Sequence, residues 1–308
     1  MKKINSANII LLLGAVLSIF CSFIMKNAFL GIGVFVVIFG FVMYKQRAAL
    51  WASSAASAYQ KGNITKSFEL YEKAIAVQDC PNMAKILYAY RLVSEGNIEA
   101  CAKILGTLNP AIMNENERLN YNATNALSIW KQGNVHRAIE IYEALLNEKN
   151  SMLIYETLGY LFIEAEAYEK ALEFNLKAFE LYENNERIKS NLATSYYYLE
   201  ENVEAAKLCK ELIENYANFP DPYYYYALLL ETQEKYKGAL KYLNKALEKK
   251  FSHIYTLTEE DVQDEIDEIE EQMEQEIEED IDEIEEQMEQ EIEEDIDEIE
   301  EQREQDIE

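Results

Sequence analysis

Two almost wholly apolar runs open the chain, Asn8 to Met25 and Ala28 to Tyr44, with only Lys26 and Asn27 between them. As one helix they would extend roughly 55 Å, against a hydrocarbon core of about 30 Å, so a turn at Lys26-Asn27 and a return crossing are predicted. Each arm is short for a span, which leaves a re-entrant hairpin open beside a two-pass anchor. A secretory signal is a third reading, but no small-residue cleavage pattern follows the first run. Lys2 and Lys3 precede the arms, Lys45 and Arg47 follow them, and Lys26 sits alone at the turn. The basic-residue bias therefore predicts a cell-membrane protein inserted through residues 8–44 with both termini cytoplasmic. Gly14, Gly31, Gly33 and Gly40 are expected to let the arms pack closely.

From residue 48 the pattern becomes that of paired amphipathic helices. Tyr223, Tyr226, Ala227 and Leu230 stand at i, i+3, i+4 and i+7, and Ala239, Leu243 and Ala246 form a matching face after a turn near Glu234. Small residues recur on the first helix at Ala55, Ala89, Ala126, Gly159, Ala193 and Ala227. On the second helix they recur at Ser67, Cys101, Ala138, Ala171, Ala205 and Ala239. Both series step by 34, 37, 33, 34 and 34 residues, so two independent markers share one register. Gly62, Gly96 and Gly133, each followed by Asn, fall between the two helices, where positive φ suits glycine. Pro81, Pro110, Pro220 and Pro222 fall between hairpins, where a missing N–H does least harm.

A 34-residue helix-turn-helix with small residues at its crossings resembles the tetratricopeptide repeat family, in its membrane-anchored bacterial form. The best match is residues 155–181, where Tyr155, Leu158, Gly159, Phe162, Tyr168, Ala171 and Ala178 fit the family pattern. Asn175 departs from it, standing where a large aromatic is usual, and Asn122 and Asn125 predict an imperfect third hairpin. The resemblance covers residues 48–253. It implies a solenoid of about six hairpins starting near 48, 82, 119, 152, 186 and 220; with the apolar arms read as a membrane hairpin at 1–47 and the acidic segment 254–308 read as a helix that begins by capping the sixth hairpin, the expected fold is all-α. It further implies a concave groove for a protein or peptide partner, lined by Tyr160, Arg187, Asn191, Thr194, Tyr197 and Tyr224. Asn191 lies where family members bond a peptide backbone. Packing within the solenoid, or against the tail, is an equal reading of these aromatics.

The formal net charge of −29 belongs to the tail. Glu259 to Glu308 holds 30 acidic residues against Arg303 alone, which leaves the first 258 residues neutral. Residues 267–281, DEIEEQMEQEIEEDI, repeat without change at 282–296, with apolar residues at helical spacing and no lysine to relieve acidic i, i+4 pairs. Such a tail repels nucleic acid and attracts a basic protein, for which it could also act as a mimic or shield. The cysteines, Cys21, Cys80, Cys101 and Cys209, have no paired spacing, and two histidines make no metal ligand set. No nucleophile elbow, phosphate loop or cofactor motif is present, so a non-enzymatic scaffold is expected, with a membrane-bound enzyme sited in the groove as the alternative.

Overall fold

The structure, a computed structural model, describes residues 6–24 and 28–305. The predicted turn at Lys26-Asn27, and Lys2 and Lys3, lie outside the described residues. All regular elements among the described residues are helical, and the chain divides into two units, residues 1–134 and 135–308.

The first unit holds α1 (Ser6–Ile24), α2 (Ala28–Gln60), α3 (Ile64–Ile75), α4 (Asn82–Ser94), α5 (Ile98–Gly106) and α6 (Glu115–Lys131), with a single 3₁₀ turn at Pro110–Ile112. α1 and α2 pack antiparallel: Ser18 Oγ donates to the Gly31 carbonyl at 2.6 Å. A Cβ on Gly14 would come within 2.6 Å of Ile38, and one on Gly31 within 1.8 Å of Ser22 Oγ. Gly33 and Gly40 meet nothing within 4 Å, so two of the four glycines make the contact and two do not. The outer faces of both helices expose Leu12, Leu13, Phe23, Phe29 and Val37.

α2 runs without a break from the apolar arm into the first hairpin, about 50 Å of helix. There Ala48, Ala52 and Ala55 are buried, and Ser67 Oγ of α3 donates to the Ala55 carbonyl at 2.9 Å. In the next hairpin Ala89 and Cys101 are fully buried, and Ala126 is fully buried on α6. Asn122 and Asn125 are half-buried on α6. Gly62, Gly96 and Gly133 take φ of +78°, +79° and +93°. Asn63 and Asn97 then cap the following helices, accepting from the backbone N–H of Lys66 and Ala100.

The second unit holds α7 (Val135–Glu148), α8 (Met152–Glu164), α9 (Tyr168–Leu181), α10 (Glu186–Tyr198), α11 (Asn202–Glu214), α12 (Asp221–Glu231), α13 (Tyr236–Leu247) and α14 (Glu259–Gln305). Consecutive helices pack as hairpins, while α8 meets α10 and α10 meets α12, so the first helices form one layer. Gly159, Ala171, Ala193, Ala205, Ala227 and Ala239 are all buried. At Gly159 the reason is local. Asn175 occupies the space with its Oδ1 only 1.9 Å from where a Cβ would stand, while its Nδ2 donates to Ser195 Oγ at 3.0 Å. A polar residue thus fills the place expected for a large aromatic, and glycine opposite makes room for it.

Between the helices of these hairpins the left-handed residue is Glu166, Glu200 or Glu234, with φ of 56°, 61° and 57°. Helices α9, α11 and α13 begin without a side-chain cap. At the C-terminal end Val262, Ile266 and Ile269 of α14 are buried against Ala239, Leu243 and Ala246 of α13, with Met273 at the edge. Beyond this contact Ile277, Ile281, Ile284 and Met288 are exposed.

Candidate functional site

The layer of first helices in the second unit presents one face built from three. On α8 Glu156, Tyr160 and Glu164 recur at i, i+4 and i+8; Arg187, Asn191 and Thr194 share a face of α10; Asp221, Tyr224 and Tyr225 stand on α12. Into this face folds the non-helical connector between α13 and α14, residues 248–258. Phe251 and Leu257 anchor it on the C-terminal core, and Tyr255 and Thr256 enter the face.

Tyr255 is the centre of the contact. Its ring lies edge-on to Tyr160 with centroids 4.9 Å apart, and the Arg187 guanidinium sits 3.8 Å over its face. Its hydroxyl donates to Glu156 Oε1 at 2.9 Å. The Thr256 N–H donates to the Tyr160 hydroxyl at 2.9 Å, and Thr256 Oγ1 donates to Glu164 Oε2 at 2.5 Å. Burial, reinforced by Glu156, pushes the Tyr255 phenol well above its ordinary range, and burial with Glu164 does the same for Tyr160. Both phenols are therefore neutral hydrogen-bonding groups at any physiological pH.

The six residues picked out by sequence divide among three roles. Tyr160 and Arg187 contact the connector directly. The Arg187 guanidinium also sits 3.9 Å over the Phe219 ring, and its Nη1 donates to Asp221 Oδ2 at 3.1 Å. Burial pushes the Asp221 carboxyl up, and the Arg187 charge opposes that rise. Asn191 and Thr194 are buried instead of lining open space. The Asn191 amide donates to the Glu156 carbonyl at 2.8 Å, which ties α10 to α8 and engages the group expected to meet a peptide.

Tyr197 and Tyr224 belong to a second cluster. Tyr197 lies 5.4 Å from the Tyr198 ring and 5.1 Å from Tyr225; Tyr224 lies 5.5 Å from Tyr225, and its hydroxyl is 3.5 Å from Glu265 of α14. Tyr223 and Tyr226, by contrast, are buried in the hairpin. Burial, then the hydrogen-bonded neighbour Glu231, raises the Glu265 carboxyl to about 7.

Sequence reasoning missed Glu156, Glu164, Asp221 and the connector pair Tyr255-Thr256. Two signals were available: the i, i+4, i+8 row on α8, and an arginine and aspartate 34 residues apart, one repeat length. The face offers aromatic surface, carboxylate acceptors and one desolvated ion pair, a chemistry of polypeptide recognition. Among the described residues no group of three or more His, Cys, Asp and Glu could hold a metal. The thiols of Cys101 and Cys209 are pushed by burial to about 11 and about 12, so neither is an activated nucleophile.

Residues 190–252 match the family model for the tetratricopeptide repeat. No curated protein sequence matches the chain. Among solved structures, the Cut9-Hcn1 hetero-tetramer of the APC/C is similar at 13% identity and a TM-score of 0.56, over 76% of this chain and 45% of that one. PilF of Pseudomonas aeruginosa is similar at 14% identity and a TM-score of 0.50, over 65% of this chain and 90% of that one. A tetratricopeptide repeat protein from Parabacteroides merdae matches at 16% identity and a TM-score of 0.49, over 67% of this chain and 81% of that one. For the first two, at these identities, the likeness is one of fold. Residues 190–252 thus carry a tetratricopeptide repeat, and twelve buried small residues in a single register give the hairpins described above the fold of that repeat.

Proposed function

We propose that the protein is a membrane-anchored scaffold that docks a protein or peptide partner on the first-helix face of its second unit, on the cytoplasmic side. The observation that carries the docking reading is that this face already holds a non-helical polypeptide segment, the connector, turned at Ser252–Tyr255, by ring, backbone and side-chain contacts. A face that grips one polypeptide by such groups has the chemistry to grip another.

Anchoring is supported by the apolar length of Phe29–Gln60 and by large apolar side chains facing outward on α1 and α2. An exposed apolar surface of this extent needs a cover, and a bilayer supplies one. Because α2 continues into the first hairpin, an anchor there would hold that hairpin close to the membrane. The tail, repelled by anionic lipid, would point away and present its carboxylates to a basic partner.

Docking is tested with a photo-crosslinking residue at Tyr197 or Tyr224 in living cells, compared with one at exposed Val203 of α11. The scaffold reading expects one discrete protein adduct from the first two positions and none from the third; equal adducts at all three would refute it. Topology is tested by a cysteine at Asn27. It should react with an impermeant thiol reagent in intact cells, whereas one at Val203 should react only after lysis; the opposite pattern reverses the assignment.

A further inference from the structure

We infer that the connector is a built-in pseudo-ligand: residues 251–258 occupy the docking face in cis, and the face accepts in trans a peptide that presents a tyrosine followed by a hydroxyl residue. This deepens the docking reading and rests on it.

The contacts define what such a peptide must carry. A phenol is needed between Tyr160 and Arg187, because the ring meets an aromatic edge on one side and a guanidinium on the other while its hydroxyl donates to Glu156. Phenylalanine would keep the ring contacts and leave the Glu156 oxygen without its donor. The next residue must expose its backbone N–H to the Tyr160 hydroxyl, which excludes proline, and a side-chain hydroxyl to Glu164. Two carboxylates, Glu156 and Glu164, flank the position, so a phosphorylated tyrosine or threonine would be repelled.

Attachment explains why the face is filled at rest. The connector is joined to α13 on one side and to α14 on the other, and a short tether holds its residues at an effective concentration on the order of millimolar. A free peptide with the same contacts competes only when it exceeds that concentration or adds contacts of its own. The apparent affinity of the face is lowered by the fraction of molecules in which the connector is seated. A partner that also engages the tail, directly joined to the connector, could draw the connector out and lower that barrier.

The probe is a dye-labelled synthetic peptide of residues 251–258, titrated into detergent-solubilised full-length protein and followed by fluorescence anisotropy. The Tyr255→Ala protein, with its own segment loosened, should bind the peptide about tenfold or more tightly than the unmodified protein. The same peptide with alanine in place of its tyrosine should lose this binding. Adding Tyr160→Phe to the Tyr255→Ala protein keeps the ring but removes the acceptor for the threonine N–H, and should weaken binding several-fold.

A second variant, with residues 252–257 replaced by a glycine-serine stretch of equal length, guards against misfolding of the point variant and should behave like Tyr255→Ala. Equal affinity for the unmodified and emptied proteins, or no binding to either emptied variant, overturns the inference. A dimer of the unmodified protein that dissociates on adding the peptide would place the segment in a second copy and overturn the cis assignment. Failure here with intact adducts at Tyr197 leaves the docking reading standing; loss of those adducts removes both.

Discussion

In the first unit the hairpin turns fall at Gly62, Gly96 and Gly133; in the second they fall at Glu166, Glu200 and Glu234, yet all six residues hold a left-handed φ. Glycine adopts that conformation freely, whereas a residue with a Cβ incurs about 1–2 kcal/mol. Asn63 and Asn97 cap the helices after their turns, while α9, α11 and α13 begin without a side-chain cap. One set of hairpins is thus assisted by local turn chemistry, and the other bends without it. The second unit also holds 16 of the 22 tyrosines and the Arg187–Asp221 pair. The same left-handed turn is thus reached with glycine in one unit and with glutamate in the other.

The two units also carry different reporters, since Trp51 and Trp130 both lie in the first and most tyrosines in the second. Tryptophan fluorescence and tyrosine near-ultraviolet signals in urea therefore follow the units separately. The largest expected effect is at the ion pair. Arg187→Ala leaves Asp221 buried and uncompensated and should cost about 3–5 kcal/mol in the tyrosine-reported transition. Asp221→Asn combined with Arg187→Met, which removes both charges, should recover much of the loss. A tyrosine transition unmoved by Arg187→Ala would show that the pair does not support the second unit.

Next comes Gly159→Ala, whose Cβ would stand 1.9 Å from Asn175 Oδ1. It should cost about 1–3 kcal/mol, and Asn175→Ser should relieve it. Additive losses in the double variant would mean that the two residues do not share one space.

Smaller effects separate the two kinds of turn. Gly62 has nothing within 4 Å of an added Cβ, so Gly62→Ala tests backbone conformation alone and should cost about 1–2 kcal/mol in the tryptophan transition. Glu200→Gly is its mirror and should stabilise the tyrosine transition by less than about 1 kcal/mol, because glycine also loosens the unfolded chain. If Glu200→Gly destabilises, the glutamate is making a contact that outweighs its φ.

The repeat register was legible because close helix crossing admits only small side chains, and that demand recurs with the repeat length. Ala55, Cys101, Gly159 and Ala239 could be marked without coordinates for this reason. The turns at Glu166, Glu200 and Glu234 were not legible as left-handed, since glutamate carries no turn signal and its conformation is imposed by the helices it joins. Asn191 was assigned to the groove by its register, but register specifies a helix face and not whether a neighbouring carbonyl, here that of Glu156, already holds the amide. The connector was the least legible part. Tyr255 lies outside the repeat, and its contact with Glu156 spans 99 residues.

The smallest effect concerns pH. In the folded protein Glu265 titrates near 7, above its ordinary 4.5, through burial and the adjacent Glu231. Tyr224 and Tyr197 face it from α12 and α10, with Glu268 and Asp261 on its own helix. Between about 4.5 and 7 the docked helix holds more protons than the free one, so docking of α14 strengthens as pH falls and weakens as pH rises through 7. Hydrogen exchange of residues 259–270 should be slower at pH 5.5 than at pH 8 after correction for intrinsic rates, and Glu265→Gln should abolish the difference. A difference that persists in Glu265→Gln would assign it to another group.

Hydrogen exchange of residues 251–258 in the detergent-solubilised full-length protein tests the central claim most directly. With the connector seated on α8, the Thr256 amide, bonded to the Tyr160 hydroxyl, should exchange far more slowly than in the free peptide, and Tyr255→Ala should release it. Exchange at the free-peptide rate in the unmodified protein, unchanged by Tyr255→Ala, would contradict the account.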